Sequence, residues 1–352
     1  MDETLPGGFY SQEVHGPFST FSLGDFALED GGVLPDCRLA YSTFGTLSPA
    51  RDNAILLTTW FSGTSKIMEQ AYVGVGRAID PAKYFVVIVN QIGNGLSTSP
   101  HNAPGGLDGA NFPKVRIADD VRAQRQFLRA AFGIEQLALV VGGSMGAEQA
   151  YEWAVRFPDA VARVAAIAGT ARTTAHTALY ADALMEAIRS DPAWADGSYA
   201  SPAEVAAGLR RHSRLWAVMG ASAEMYSKEA WRGLGFESVE DFLAGLLDAS
   251  FLPLDPNSLL VQGWKWRHAD VSRPYGGDLA AALGRIKAKT FVMPVSTDMF
   301  FTVADCQAEQ AMIAGSELRV MQSDWGHIGV MGMDPGYLQQ VDEALQALLA
   351  YS

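Results

Sequence analysis

The sequence predicts an α/β protein in which helices cover both faces of a mostly parallel central sheet. Short, continuous apolar runs alternate with helical patterns up to about residue 170, and such runs return near the C-terminal end. Runs of this kind are typical of strands that are buried on both faces. The predicted strands are residues 54–59, 85–89, 137–141, 161–168, 290–295 and 317–321.

Two helices follow from apolar residues at helical spacing. Residues 117–131 carry Ile117, Val121 and Phe127 on one face, and Gly133 is placed to end this helix. Residues 337–349 form a second amphipathic pattern after the last predicted strand.

The middle of the chain differs in character. From about residue 171 to 260 there are almost no strand-like runs, and the stretch is rich in Ala, Met, Trp and Tyr with helical periodicity. We therefore expect a helical lid inserted into the sheet domain. The expected divisions are 1–170 for the first part of the core, 171–275 for the lid and 276–352 for the second part of the core.

Composition excludes several functions. The 352 residues include 26 basic and 39 acidic ones, so the net charge is −13, and 49% of the residues are hydrophobic. A chain this acidic lacks the basic surface that binds nucleic acid or an anionic membrane. No apolar run approaches the ~18 residues of a membrane span, and residues 1–16 lack the pattern of a secretory signal.

The cysteines point to no redox or metal chemistry. Cys37 and Cys306 form neither a disulfide framework nor a metal-ligand spacing. We expect two reduced thiols in a cytoplasmic protein that uses no cofactor and no metal.

The stretch around Ser144 carries most of the functional information. An apolar strand pattern leads into Gly142-Gly143-Ser144-Met145-Gly146, and a helix-forming stretch follows. A strand, a G-x-S-x-G turn and a helix together are typical of a nucleophile elbow, in which a strained turn exposes the serine hydroxyl. The alternative is an ordinary glycine-rich turn between a strand and a helix.

A nucleophilic serine needs a base, and the base needs a third group to orient it. In α/β-hydrolases the chain order is Ser, then Asp or Glu, then His. Of the six histidines, only His327 follows the last strand pattern and precedes the last helix. His327 is therefore the candidate base, the alternative being a histidine in a surface loop.

The candidate acid is Asp298, which lies in the loop after the strand pattern at 290–295. Asp305 is a competitor, but it lies seven residues further on, where a helix is expected to have begun. Asp324 is too close to His327 in sequence to lie at the end of a different strand.

The oxyanion of an acyl-transfer intermediate needs two donors. One is the backbone N–H of Met145, directly after the serine, and the other comes from the loop after an early strand. Residues 60–64 form that loop, and we select the N–H of Phe61 by its position.

Two further patterns attract attention. Residues 93–97 follow a strand and begin G-x-G, but Thr98 stands where a dinucleotide fingerprint needs glycine, and no P-loop lysine follows. We interpret them as a tight loop near the mouth of the active site. The cluster at 264–268 is interpreted as packing within the lid, with a ligand-wall role as the minority view.

At these motifs the chain resembles the homoserine transacetylase family of α/β-hydrolase-fold proteins. The resemblance runs through most of the chain and includes residues 93–100, 112–113, 119–124, 142–146, 297–298 and 326–327. It implies a Ser144–His327–Asp298 triad, an acyl-enzyme, a helical lid that forms a tunnel, and a homodimer formed through the lid.

Two departures from the family pattern concern the acceptor. The transferases carry an aspartate directly after the catalytic histidine, where this chain has Ile328, and a lid arginine where this chain has Gly220-Ala221-Ser222. A pocket without these charged anchors is unsuited to a zwitterionic amino acid, because desolvating an unpaired zwitterion is costly. The esterase branch of the family lacks that acceptor.

The sequence thus predicts a serine esterase acting on small uncharged acyl esters, chiefly acetates. One alternative is an acyl-CoA-dependent O-acyltransferase, similar to homoserine O-acetyltransferase, with a hydroxyl acceptor. Another is a ligand receptor without enzymatic activity, which the intact order of Ser144, Asp298 and His327 disfavours. The expected partners are a small-molecule ester and a second copy of the chain, with neither nucleic acid nor membrane.

Overall fold

The computed structural model describes residues 8–351. Within them, the strands are β1 (Ser19–Ala27), β2 (Val33–Phe44), β3 (Ala54–Thr58), β4 (Phe85–Val89), β5 (Leu139–Gly143), β6 (Arg163–Ile167), β7 (Lys289–Met293) and β8 (Glu317–Leu318). They form one sheet in the spatial order β1-β2-β4-β3-β5-β6-β7-β8. The pairs from β4 to β8 are parallel, while β2 is antiparallel to both β1 and β4.

The α-helices of the same residues are α1 (Gln12–His15), α2 (Ser65–Tyr72), α3 (Ile117–Phe132), α4 (Met145–Arg156), α5 (Ala175–Arg189), α6 (Ala206–Met219), α7 (Ala223–Ser227), α8 (Val239–Phe242), α9 (Ala249–Phe251), α10 (Pro256–Arg267), α11 (Leu279–Leu283), α12 (Val303–Gln310) and α13 (Pro335–Leu349). Among these described helices, none has the length and apolar character needed to cross a membrane.

The sheet is buried on both faces. All five residues of β3, of β4 and of β5 are buried, as their continuous apolar runs predict. On one face α3 and α4 contribute Val121, Phe127 and Tyr151 to the core, and on the other α2 and α13 contribute Tyr72 and Val341. The sheet thus holds the ends of its central strands rigidly.

The predicted elements lie close to their observed bounds, with two differences. Only Glu317–Leu318 of the predicted strand at 317–321 forms a strand, although a bridge between Val295 and Met321 continues the pairing. The antiparallel pair β1–β2 precedes the alternating region and was not predicted. Most residues of β1 are exposed, so β1 lacks the continuous apolar run from which the strands of the parallel region were predicted.

Gly133 ends α3 as expected, since it adopts the left-handed conformation with φ of 63°.

The chain between β6 and β7 contains helices α5 to α11 and no strand. Helix α5 packs against both α6 and α10, and buried aromatic side chains of these three helices belong to the same core cluster as α3 and α4. Trp216 of α6 and Trp266 of α10 contact Phe61 in the loop after β3, so this helical segment lies over the carboxyl ends of the central strands.

Candidate active site

Ser144 lies at the junction between β5 and α4. Its backbone has φ of 56° and ψ of −126°, and its side chain is almost wholly buried. A residue other than glycine pays a steric cost at positive φ, and such strain is typical of functional positions. The strand, turn and helix follow one another in the order that the motif predicts.

The outer glycines of the motif allow β5 and α4 to approach the end of β3. A Cβ atom on Gly142 would lie 2.1 Å from Thr58 Oγ1, and one on Gly146 would lie 2.6 Å from the Thr58 carbonyl oxygen. The Thr58 hydroxyl donates a hydrogen bond of 2.8 Å to the Gly146 carbonyl. The elbow is therefore locked against β3 at a distance that side chains would prevent.

The structure brings Ser144, His327 and Asp298 together. The Ser144 hydroxyl lies 2.8 Å from His327 Nε2, and His327 Nδ1 lies 2.6 Å from Asp298 Oδ2. Asp298 follows β7 and His327 follows β8, so both lie at the same edge of the sheet as Ser144. This geometry is that of a nucleophile, a base and an orienting acid.

Asp298 is held by the backbone that follows it. Its Oδ1 atom accepts hydrogen bonds from the N–H groups of Phe300 and Phe301, at 3.1 and 3.0 Å. These bonds leave Oδ2 for His327 and fix the plane of the carboxylate.

The two competing aspartates are engaged elsewhere. Asp305 lies inside α12 and accepts a hydrogen bond from the Thr302 hydroxyl at 2.7 Å. Asp324 pairs with Lys228 at 2.6 Å on the exposed surface. Neither carboxylate contacts His327, and Asp298 is the acid that does.

Aromatic side chains enclose the histidine. The ring of Phe300 lies 4.3 Å from that of His327, and the rings of Phe301 and Trp216 lie 5.5 and 6.1 Å from it. Trp216 belongs to α6, so the helical segment closes over the base. Only 3% of His327 is exposed, so bulk solvent screens the electrostatic interactions of its ring weakly.

The two candidate oxyanion donors lie at the ends of neighbouring strands. Met145 is the first residue of α4, and Phe61 lies in the loop after β3, which pairs with β5. Within residues 8–351, no protein acceptor hydrogen-bonds to the backbone N–H of either residue. Both N–H groups can therefore bind another acceptor, as the assignment of Phe61 and Met145 requires.

Comparison with known proteins decides the family. Residues 56–331 match the family model described as the alpha/beta hydrolase fold. The chain belongs to the alpha/beta hydrolase family. This confirms the predicted fold class, and the relatives described next confirm the resemblance to homoserine transacetylases.

The relatives of this hydrolase include esterases and transferases. An ethyl acetate hydrolase of Pseudomonas veronii is 55% identical over 97% of this chain and 98% of its own length. The crystal structure of an acetylester hydrolase from Corynebacterium glutamicum superposes with a TM-score of 0.97 and 54% identity, covering 99% of this chain and all of that one. A homoserine O-acetyltransferase of Thermobifida fusca is 35% identical over 92% of this chain and 91% of its own.

The two positions that differ from the transferase pattern lie side by side in this hydrolase. The Ile328 N–H donates to the Gly220 carbonyl at 3.0 Å, and a Cβ on Gly220 would lie 3.1 Å from the Ile328 side chain. The Ser222 hydroxyl also donates to the carbonyl of Asp324 in the same loop. The Gly220–Ser222 turn is therefore packed directly against the loop that carries His327.

A buried acid lies one turn after the serine. Glu148 is fully buried in α4, and burial raises its pKa well above the usual range. Burial also raises the pKa of Glu309 to about 7, although the N–H groups of Ala171 and Arg172 oppose that rise. A raised pKa favours the neutral form of Glu148, and a neutral acid adds no negative charge near the start of α4.

One polar element beside the site, Lys265, was not predicted from the sequence. Lys265, within the cluster interpreted as lid packing, is fully buried and its ammonium lies 2.5 Å from Asp120 Oδ2. Burial raises the pKa of Asp120, and the Lys265 charge opposes that rise. A lysine between two tryptophans in an apolar helix was the available signal, because lysine is seldom fully buried unless it is paired.

The glycine-rich loop at 93–97 supports the Phe61 loop. Asn94 is buried, and its amide donates to the Gly63 carbonyl at 3.1 Å.

Among residues 8–351, no group of three His, Cys, Asp or Glu side chains comes close enough together to hold a metal ion.

Proposed function

We propose that this protein is a serine esterase that hydrolyses small, uncharged acyl esters, chiefly acetates, through an acyl-enzyme on Ser144. The observation that carries the proposal is the hydrogen-bonded series of Ser144, His327 and Asp298 at the elbow. The acyl group is inferred from the names of the two hydrolase relatives, which this chain matches at 54–55% identity over nearly its whole length.

In the first half of the reaction, His327 Nε2 takes the proton of the Ser144 hydroxyl as its oxygen attacks the ester carbonyl. Asp298 holds the proton on Nδ1 and stabilises the imidazolium that forms. The N–H groups of Met145 and Phe61 bind the oxyanion of the tetrahedral intermediate. The C–O bond then breaks, and His327 gives the proton to the departing alcohol.

In the second half, water repeats the sequence on the acyl-enzyme. His327 takes a proton from the water as its oxygen adds to the acyl carbonyl, and the second tetrahedral intermediate uses the same two donors. The bond to the Ser144 oxygen breaks, the serine regains its proton from His327, and the carboxylic acid leaves.

The residues beside His327 favour water over an amino-acid acceptor. Ile328 is buried against Gly220, so two apolar groups occupy the place where the transferase pattern has an aspartate and an arginine. The zwitterion of homoserine would leave both of its charges unpaired there. The acyl-CoA-dependent O-acyltransferase is the second candidate, supported by the 35% identity to a homoserine O-acetyltransferase.

The assembly is part of the same proposal. Residues 171–275 act as a lid over the elbow, and two copies of the chain meet through it. Leu179 of α5 and Val218 of α6 are about two-thirds exposed, which supports an apolar contact there. The buried free thiols of Cys37 and Cys306 support a cytoplasmic location.

The nucleophile is tested with Ser144→Ala. Removing the attacking oxygen should lower the release of acetate from p-nitrophenyl acetate by about 10⁵-fold or more, with the melting temperature preserved. A folded Ser144→Ala protein that keeps its turnover would contradict the mechanism. Labelling with a fluorophosphonate separates an esterase from a receptor, because only an activated Ser144 should react.

The hydrolase is separated from the transferase by the fate of the acyl group. We expect acetate release from p-nitrophenyl acetate to be unaffected by homoserine, and acetyl-CoA with homoserine to give no ester. Formation of O-acetylhomoserine faster than free acetate would instead establish the transferase.

A further inference from the structure

The loop that carries Phe61 is a tight turn in a costly conformation. The Gly63 N–H donates to the Trp60 carbonyl at 3.0 Å, so Phe61 and Ser62 are the two central residues of a β-turn. Ser62 has φ of 59°, which a type II turn requires at its second central position and which normally selects glycine. Something outside the turn must therefore favour this arrangement of the peptide between Phe61 and Ser62.

One lid side chain binds that peptide directly. The Ser62 N–H donates to Gln262 Oε1 at 2.8 Å, across 200 residues of sequence. Gln262 lies on α10, and only 1% of its surface is exposed. In the relaxed type I turn the central peptide is flipped, and the Ser62 N–H would turn away from this acceptor.

The peptide on the other side of Phe61 is held from the same helix through an intermediary. Gln91 Nε2 donates to the carbonyls of Thr59 and Trp60, at 2.7 and 3.3 Å. Because a trans peptide points its C=O and N–H in opposite directions, fixing the Trp60 carbonyl also fixes the Phe61 N–H. Lys265 in turn donates to Gln91 Oε1 at 3.4 Å and to the Ile92 carbonyl at 2.7 Å.

The nucleophile helix reaches the same loop. Gln149, one turn after Met145, donates to the Thr59 carbonyl at 2.8 Å and is fully buried. Gln149 thus links α4, which begins at Met145, to the loop that carries Phe61, so one amide side chain connects the elements of the two proposed oxyanion donors. The lid is connected to both through Gln262 and Lys265, which are three residues apart on one face of α10.

We propose that Gln262 is a positioning residue for the oxyanion hole, which it builds from the lid by holding the Phe61–Ser62 peptide in the type II turn. The inference rests on the proposed esterase function. It makes α10 part of the catalytic apparatus, because a lid in any other position would release the turn and misdirect the Phe61 N–H.

The test replaces Gln262 with Met, which has a similar length but only a weak acceptor. Losing the alignment of one oxyanion donor should lower kcat for p-nitrophenyl acetate by about 10- to 100-fold, with KM changed less than about twofold. The inhibition constant of a trifluoromethyl ketone, whose serine adduct carries an oxyanion, should rise by the same factor as kcat falls.

Two further variants separate positioning from a general loss of packing. Ser258→Ala, one turn earlier on α10, truncates a buried hydroxyl that has no hydrogen-bond partner among the described residues, and it should leave kcat unchanged. Adding Ser62→Gly to Gln262→Met should recover much of the lost kcat, because glycine adopts positive φ without steric cost. Ser62→Gly removes side-chain atoms and fills no space, so it would not rescue a cavity left beside Gln262 on α10.

Hydrogen exchange decides the inference independently of catalysis. The Ser62 amide should exchange faster in Gln262→Met than in the parent protein, while the Gly63 amide, bonded within the turn, should change less. An unchanged kcat in an active protein, a fall in kcat that merely follows the melting temperature, or an unchanged Ser62 exchange rate would overturn the proposal. If the parent protein hydrolyses no ester, the proposed function fails, and the exchange rates still decide whether Gln262 holds the turn.

Discussion

The two proposed oxyanion donors are held in place by different means. Met145 is fixed by its immediate surroundings, since β5, the strained Ser144 and the first turn of α4 are consecutive in the chain. The turn that carries Phe61 is fixed by side chains that arrive from elsewhere: Gln91, Gln149 and Gln262. One half of the site is built by local backbone geometry, and the other is assembled by tertiary contacts.

This difference determines what each half tolerates. The Met145 half depends on the absence of side chains at Gly142 and Gly146, so adding a single methyl group should disturb it. The Phe61 half depends on buried polar side chains from distant parts of the chain, so it should respond to changes far away in sequence and to pH. Three predictions test this contrast.

The largest effect is expected at the buried ion pair between Lys265 of α10 and Asp120 of α3. Lys265→Met leaves Asp120 as a buried carboxylate without its cation, so the free energy of unfolding should fall by about 3–5 kcal/mol. Chemical denaturation measures this change. The double variant with Asp120→Asn should recover most of it, because asparagine can still accept the hydrogen bond from the Ile92 N–H.

The matched control is an exposed pair. Lys287→Met removes the partner of Asp159 at the surface and should cost at most about 1 kcal/mol. If Lys265→Met and Lys287→Met lower the free energy of unfolding equally, the buried Lys265–Asp120 pair stabilises the protein no more than an exposed pair does.

A pH effect is expected from His212, whose ring stacks on Phe61 at 5.8 Å. Burial lowers its pKa from 6.5 to about 4, and Trp216 donates a hydrogen bond to its Nε2. Below pH 6.5 His212 takes up a proton in the unfolded chain but not in the folded one, and this stabilises the unfolded state. The free energy of unfolding is therefore highest above pH 6.5 and falls as the pH drops from 6.5 to 4. The loss should reach about 3 kcal/mol.

His212→Asn removes this proton uptake and keeps a donor for the Leu184 carbonyl. The free energy of unfolding of this variant should vary less between pH 6.5 and 4 than that of the parent. Parallel curves for the two proteins would show that His212 does not titrate differently in the folded state.

The smallest effect concerns the elbow. In Gly142→Ala the new Cβ would lie 2.1 Å from Thr58 Oγ1, and the forced shift should cost about 1–3 kcal/mol of stability and lower the esterase kcat. In Gly143→Ala the nearest atom would lie 3.6 Å away, so the stability should change by no more than about 0.5 kcal/mol. If both variants behave alike, the approach of Thr58 does not restrict the elbow.

The same contrast explains what the sequence could predict. The G-x-S-x-G motif, the order of Ser144, Asp298 and His327, and the position of Phe61 after β3 are all visible along the chain. These residues lie at strand ends, and the topology of a parallel sheet brings such ends together. The structure places His327 within hydrogen-bonding distance of both Ser144 and Asp298.

The side chains that hold the Phe61 turn could not be found in this way. Gln262 and Ser62 are 200 residues apart, and Lys265 and Asp120 are 145 apart, with no local pattern that pairs them. Their roles follow from how the helical segment docks on the sheet, and helical periodicity does not determine that docking. The antiparallel strand β1 escaped prediction for a simpler reason, because most of its residues are exposed and its apolar pattern is weak.

The chain order of the proposed catalytic residues also has a consequence for synthesis of the protein. Ser144 precedes His327 by 183 residues. At the usual rate of translation, about 5–20 residues per second, the serine is made roughly 10–40 s before its base. In the proposed mechanism, a nascent chain that has already folded its elbow therefore carries an inert hydroxyl, and nucleophilic reactivity begins only after β8 and the loop that follows it have joined the sheet.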